Sequence, residues 1–156
     1  MRGGFLHNHV LVQRLAQAFR TAGAGVLLEQ PVRTGRNGGY VDLLASWPER
    51  LIAVEAECRP DRVPHDLVKA RDLQADHLWL VAPNVPAKAA LRRCLARLAP
   101  VSSFLVLCLT LGEALARIPT LGLGDVFAPP DLAATRPNSL NLQPAGLPGR
   151  QTPNKS

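Results

Sequence analysis

The sequence predicts an α/β domain built on a mixed central sheet, and three observations carry that expectation. Residues 8–22 place Val10, Leu11, Leu15, Ala18 and Phe19 at helical spacing. Three strand-like runs then follow in close succession, separated by segments rich in turn residues. After them come a helix of about a dozen residues and another apolar run, the pattern of a right-handed crossover between parallel strands.

Taken in order, the first helix is expected to stop at Gly23, a residue that tolerates the left-handed backbone of a helix end. Residues 25–32 form the first strand, and the glycine-rich loop 34–39 returns the chain into the run from Gly39 to Leu44. The turn signal Ser46-Trp47-Pro48-Glu49-Arg50 leads into Leu51-Ile52-Ala53-Val54-Glu55-Ala56-Glu57-Cys58, giving a three-strand meander. Arg59-Pro60-Asp61 ends the third strand. Val63, Leu67, Ala70 and Leu73 then mark an amphipathic second helix, with Asp61 a suitable N-cap. Residues 76–83 read as a strand parallel to the Glu55 strand. Asn84 and Pro86 open a third helix whose Leu91, Cys94, Leu95 and Leu98 face inward while Lys88, Arg92, Arg93 and Arg97 face out. A fifth strand over 103–109 and a short helix ending near Ile118 complete a domain spanning 1–126. The remaining stretch, 127–156, carries six prolines and no periodicity, and reads as a disordered tail.

Composition narrows the function classes. Eighteen Lys and Arg against twelve Asp and Glu leave a net charge of +6, which favours polyanionic partners. The three cysteines, Cys58, Cys94 and Cys108, form no Cys-x-x-Cys pair, so neither a zinc site nor a disulfide framework is indicated. A reduced, cytoplasmic protein fits that usage, and no apolar run reaches the roughly 18 residues that a membrane helix needs.

Chemistry concentrates at the ends of the second and third strands. A hairpin turning near Pro48 and Glu49 sets Asp42 opposite Glu55, or opposite Glu57 after a slip of two residues, and in either register Cβ atoms lie about 5 Å apart and like charges repel. Leu51, Ala53, Glu55 and Glu57 share one face of the third strand, while Ile52, Val54, Ala56 and Cys58 share the other. Both faces are apolar at the start of this strand, so helices should cover both and carboxylates emerge only at its end, where an α/β sheet opens its cleft. A divalent cation would relieve the repulsion between Asp42 and Glu55. Ordinary ion pairs of Glu55 and Glu57 with nearby Arg59 or Arg62 are the competing expectation.

This order of elements, with an acid on the second strand and Glu-x-acid on the third, resembles the PD-(D/E)XK nuclease superfamily over roughly residues 8–84, in a Glu-x-Glu variant. The resemblance implies a restriction-endonuclease-like fold, an α-β-β-β-α-β core with a further helix and strand. It also implies a Mg²⁺-dependent (or Mn²⁺-dependent) endonuclease that hydrolyses DNA and admits a homodimer, with a catalytically inactive nucleic-acid-binding or assembly module as the alternative. On that likeness Asp42 and Glu55 are metal ligands, and the Ala56 carbonyl completes the set. Glu57 stands where the family's catalytic lysine is usual, and Lys69 on the following helix is the candidate substitute. Helical geometry puts Lys69 roughly 120° from the middle of its helix's apolar stripe, at the helix edge, where pairing with Asp66 or Asp72 in solvent is the competing expectation. Glu29 and Gln13 are lesser candidates for the same site. Arg33, Arg36, Arg59 and Arg62 are candidate phosphate contacts. His7-Asn8-His9 resembles the label of an unrelated nuclease motif, but these residues are expected to precede the first helix.

Overall fold

The computed structural model describes residues 3–33, 38–57, 59–99 and 103–122, with side chains from residue 9 onward. Helix α1 (Gly3–Thr21) is followed by β1 (Gly25–Val32), β2 (Gly39–Trp47) and β3 (Arg50–Ala56). A 3₁₀ turn (Pro60–Arg62) leads into α2 (Val63–Asp72), and β4 (His77–Ala82), α3 (Val85–Arg97), β5 (Leu105–Thr110) and α4 (Leu111–Leu121) complete the order. The five strands form one sheet in sequence order. β1 and β2 pair antiparallel, as do β2 and β3, whereas β3, β4 and β5 run parallel. The mixed α/β architecture expected from the sequence is present, including the parallel crossover through α2.

Helices cover both faces of the sheet. On one, Leu11, Leu15 and Phe19 of α1 and Ala114 and Ile118 of α4 pack on Leu43, Ile52, Val54 and Trp79. On the other, Val63 and Ala70 of α2 and Leu91 of α3 pack on Leu44, Ala53, Leu78 and Leu80. The alternation along β3 is therefore as the sequence implies. Phe19 joins the two tryptophans, with ring centroids 5.9 Å from Trp47 and 5.5 Å from Trp79, so both indoles serve packing.

Four local expectations need correction. Helix α1 begins at Gly3, so His7, Asn8 and His9 lie within it. Asp61 belongs to the 3₁₀ turn, and the N-cap of α2 is Arg62, which makes no side-chain cap. β5 begins two residues later than expected, and α4 continues through Pro119 from a capping box formed by Thr110 and Glu113. The pleat of β1 and β2 also reverses partway. Val26 and Leu28 face the α1 side, yet Val32, of the same parity, faces the α2 side. On β2, Leu43 and Val41 divide in the same way.

The reversal is centred on Glu29, which has a left-handed φ of 49°, and on Asp42 across from it, where the ladder between β1 and β2 skips one pair. A residue in that conformation breaks the two-residue alternation and turns the strand over. The expected tail over 127–156 lies outside the described residues, as do Arg36 and Cys58. Among the described residues no helix is long and apolar enough to cross a membrane.

Candidate functional site

The hairpin register pairs Leu43 with Val54, and one further step sets Asp42 across from Glu55. Regular pairing stops there because the reversal at Asp42 draws β2 away. The backbone N–H of Ala56 consequently donates to Asp42 Oδ2 at 2.8 Å instead of to a strand carbonyl. Ala56 thus meets Asp42 through its amide. This bond orients one carboxylate oxygen, and among the described residues no hydrogen bond engages Asp42 Oδ1.

Glu55 points toward α2, and Lys69 of that helix meets it in an ion pair, with both residues 4% exposed. The expectation of a solvated Lys69 at the helix edge is overturned. Its aliphatic stem runs beneath the strand ends, passing 3.4 Å from where a β-carbon on Gly39 would stand. The ammonium is held by Asp66 Oδ1 at 2.8 Å and donates to the Tyr40 carbonyl at 3.0 Å. Together with Glu55 this makes three oxygen partners for an ammonium with three hydrogens. Asp72, the other expected partner, instead meets Arg71.

Asp66, expected only as a partner of Lys69 in solvent, is a buried member of the site. It is 1% exposed, and its second oxygen, Oδ2, is buried without a hydrogen-bond partner among the described residues. The signal was present, because Val63, Asp66 and Ala70 follow i, i+3, i+7 spacing, which places an acid inside the apolar stripe. A carboxylate there must find a cation, and the lysine three residues on supplies one.

Three carboxylates, Asp42, Glu55 and Asp66, thus gather around one ammonium and leave a surplus of negative charge. Burial, followed by repulsion from Asp66 and Asp42, pushes the Glu55 carboxyl up to about 8 despite the pull of Lys69. Burial also raises Asp66 above the ordinary carboxylate range, against the opposing influence of Lys69. Burial works against the charge on Lys69 as well, but Glu55 and Asp66 outweigh it and hold the ammonium above the usual lysine value.

Glu57 takes a different part. Its N–H donates to the Val81 carbonyl and its Oε1 accepts from the Arg59 N–H at 2.6 Å, so it stabilises the turn that leaves β3. Arg59 reaches Asp61 at 2.6 Å, and Arg33 and Arg62 are exposed. Glu29 and Gln13 are exposed also.

As a cation site, the set offers hard oxygen donors of the type Mg²⁺ prefers. Among the described residues no group of three or more His, Cys, Asp or Glu side chains is arranged to hold an ion. An ion there would rest on the two carboxylates Asp42 and Glu55, with water or substrate oxygens completing its shell. No family model matches the chain, and no curated protein or solved structure matches it.

Proposed function

We propose that this chain is a metal-dependent nuclease that hydrolyses DNA phosphodiester bonds, with residues 8–84 forming a restriction-endonuclease-like core. The observation that carries this reading is the buried Lys69, clasped by Glu55 and Asp66 beside Asp42 at the end of β3. In this reading Asp42 and Glu55 hold Mg²⁺ or Mn²⁺, and the ion displaces the proton that Glu55 keeps in the metal-free protein. Such an ion, when bound, would lower the pKa of its water and offset the charge of the phosphate.

The protein side of the reaction follows from the same contacts. The Ala56 amide aims Asp42, and in this reading Lys69 on α2, beside Glu55, takes the part that the resemblance gives to a third-strand lysine. Because Glu55 and Asp66 keep Lys69 protonated, in this reading it supplies positive charge beside the attacked phosphate rather than acting as a base at neutral pH. Glu57, bound to the turn backbone, is a structural residue. Water attacks phosphorus and gives up one proton to solvent, the P–O bond to the departing nucleotide breaks, and that oxygen takes up a proton from solvent.

One observation favours the second reading, a catalytically inactive nuclease-fold module that binds nucleic acid or assembles with other chains. Three protein oxygens, on Glu55, Asp66 and Tyr40, surround the Lys69 ammonium, as they do around a structural ammonium. Calorimetry with Mn²⁺ separates the two. Heat of binding that vanishes in Asp42→Ala, accompanied by metal-dependent cleavage of plasmid DNA, supports the nuclease. No heat and no cleavage by the unmodified chain refutes it.

A further inference from the structure

On the sheet face that carries the candidate site, a groove of about 300 Å³ runs between the 3₁₀ turn and α3, lined by Pro60, Asp61, Ala90, Arg93, Cys94 and Arg97. Its two walls are fastened together, since Cys94 Sγ donates to the Pro60 carbonyl at 3.2 Å. The turn begins four residues after β3 ends, so the groove abuts the segment that joins Glu55 to Lys69.

The charge of the groove is one-sided. α3 contains Lys88, Arg92, Arg93 and Arg97 and no acidic residue. Lys88 is spent on Glu113, at 2.5 Å. Arg93 and Arg97 are exposed and form no ion pair among the described residues. They stand one helical turn apart, about 6 Å along the axis, and so project along the same wall. Asp61, the acid on the opposite wall, is neutralised by Arg59, and Arg62 adds an exposed cation there.

We propose that this groove, with Arg93 and Arg97 on one wall and the Pro60–Arg62 turn on the other, is a track for the phosphate backbone of duplex DNA. The inference rests on the nuclease reading for its choice of polyanion and deepens that reading by stating where the substrate lies. Arginine suits the task because its planar fork pairs with phosphate oxygens in two places at once. Such contacts position a duplex without reading its sequence.

The test is fluorescence anisotropy of a labelled 20-base-pair duplex with the full chain, in EDTA so that binding is measured apart from cleavage, over a range of salt. Arg93→Gln/Arg97→Gln is compared with Arg14→Gln/Arg20→Gln, an equal loss of charge from exposed positions on α1, across the sheet. Each lost phosphate contact removes roughly 0.9 from the slope of log affinity against log salt. The α3 pair should therefore lower that slope by about 2 and weaken binding at 100 mM salt by roughly thirty-fold or more. The α1 pair should shift affinity less than about three-fold. Equal losses in the two variants would reduce the groove to part of a diffuse positive field and overturn the proposal. So would unchanged binding in the α3 variant, or an unmodified chain that binds sulfated polysaccharide but not duplex DNA. Plasmid cleavage with Mn²⁺ on the same proteins keeps the two ideas apart. Binding through α3 without cleavage removes the nuclease and leaves the track, whereas cleavage with unaltered binding in the α3 variant removes the track and leaves the nuclease.

Discussion

Replacing Lys69 by methionine, which keeps most of the stem and removes the ammonium, tests the core of the site. Nζ neutralises Glu55 and Asp66, which are 4% and 1% exposed, and also satisfies the Tyr40 carbonyl. Without it, two carboxylates face one another in a region that excludes water. Removing one partner of a buried ion pair costs about 3–5 kcal/mol, because the remaining charge is left uncompensated. That is a large share of the roughly 5–15 kcal/mol that holds a domain folded. The loss should be greatest at pH 8 and above, where Glu55 is ionised in the folded protein, and shrink toward pH 5, where Glu55 carries a proton. Urea unfolding at both pH values reads the effect. Where Lys69→Met alone is too unstable to study, Lys69→Met/Glu55→Gln/Asp66→Asn removes all three charges together and should recover most of the loss, since neutral replacement of a whole buried cluster is tolerated. A cost under about 1 kcal/mol at pH 8, the range of an exposed pair, would refute the buried-triad account.

Other outcomes follow from the same geometry. The folded state holds a proton on Glu55 between 4.5 and about 8 that the unfolded chain has lost, so metal-free stability should fall as pH rises through that window, by at most roughly 5 kcal/mol. In Glu55→Gln that slope should largely disappear, and an unchanged slope in thermal unfolding from pH 5 to 8 would assign the titration elsewhere. On the proposed nuclease reading, Glu57→Gln should keep DNA cleavage within a few-fold, because a Gln carbonyl can accept the same Arg59 N–H, while Lys69→Met assayed where it is folded should lose about 10² or more in turnover. The reverse order of effects would make Glu57 the working group. Glu29→Gly should leave stability unchanged or raise it by up to about 1 kcal/mol, as glycine adopts a φ of 49° without the cost borne by a side chain. A loss above about 1 kcal/mol in chemical denaturation would show that the Glu29 side chain contributes more than its strain removes.

Strand and helix periodicity determined the order of elements, the antiparallel meander, the crossover and the two apolar faces, because these depend on spacing within single segments. The opposition of Asp42 and Glu55 was legible only in part, since a slip of two residues that sets Asp42 opposite Glu57 keeps every side chain on the same face, and the observed pairing of Leu43 with Val54 decides between the two registers. The placement of Lys69 was not legible. Periodicity assigns a direction around a helix axis, but a lysine stem is long enough to bend from the helix edge into a buried site, and the cost of burial is met only when three separate elements bring Glu55, Asp66 and the Tyr40 carbonyl to its head. Nor does alternation foresee the reversal at Glu29 and Asp42, where one left-handed residue turns the pleat and sends the Asp42 carboxylate to the Ala56 amide. Sequence alone thus established which acids stand at the strand ends. Only the tertiary structure decided which cation answers them, because partners distant along the chain set the electrostatic balance of a buried charge.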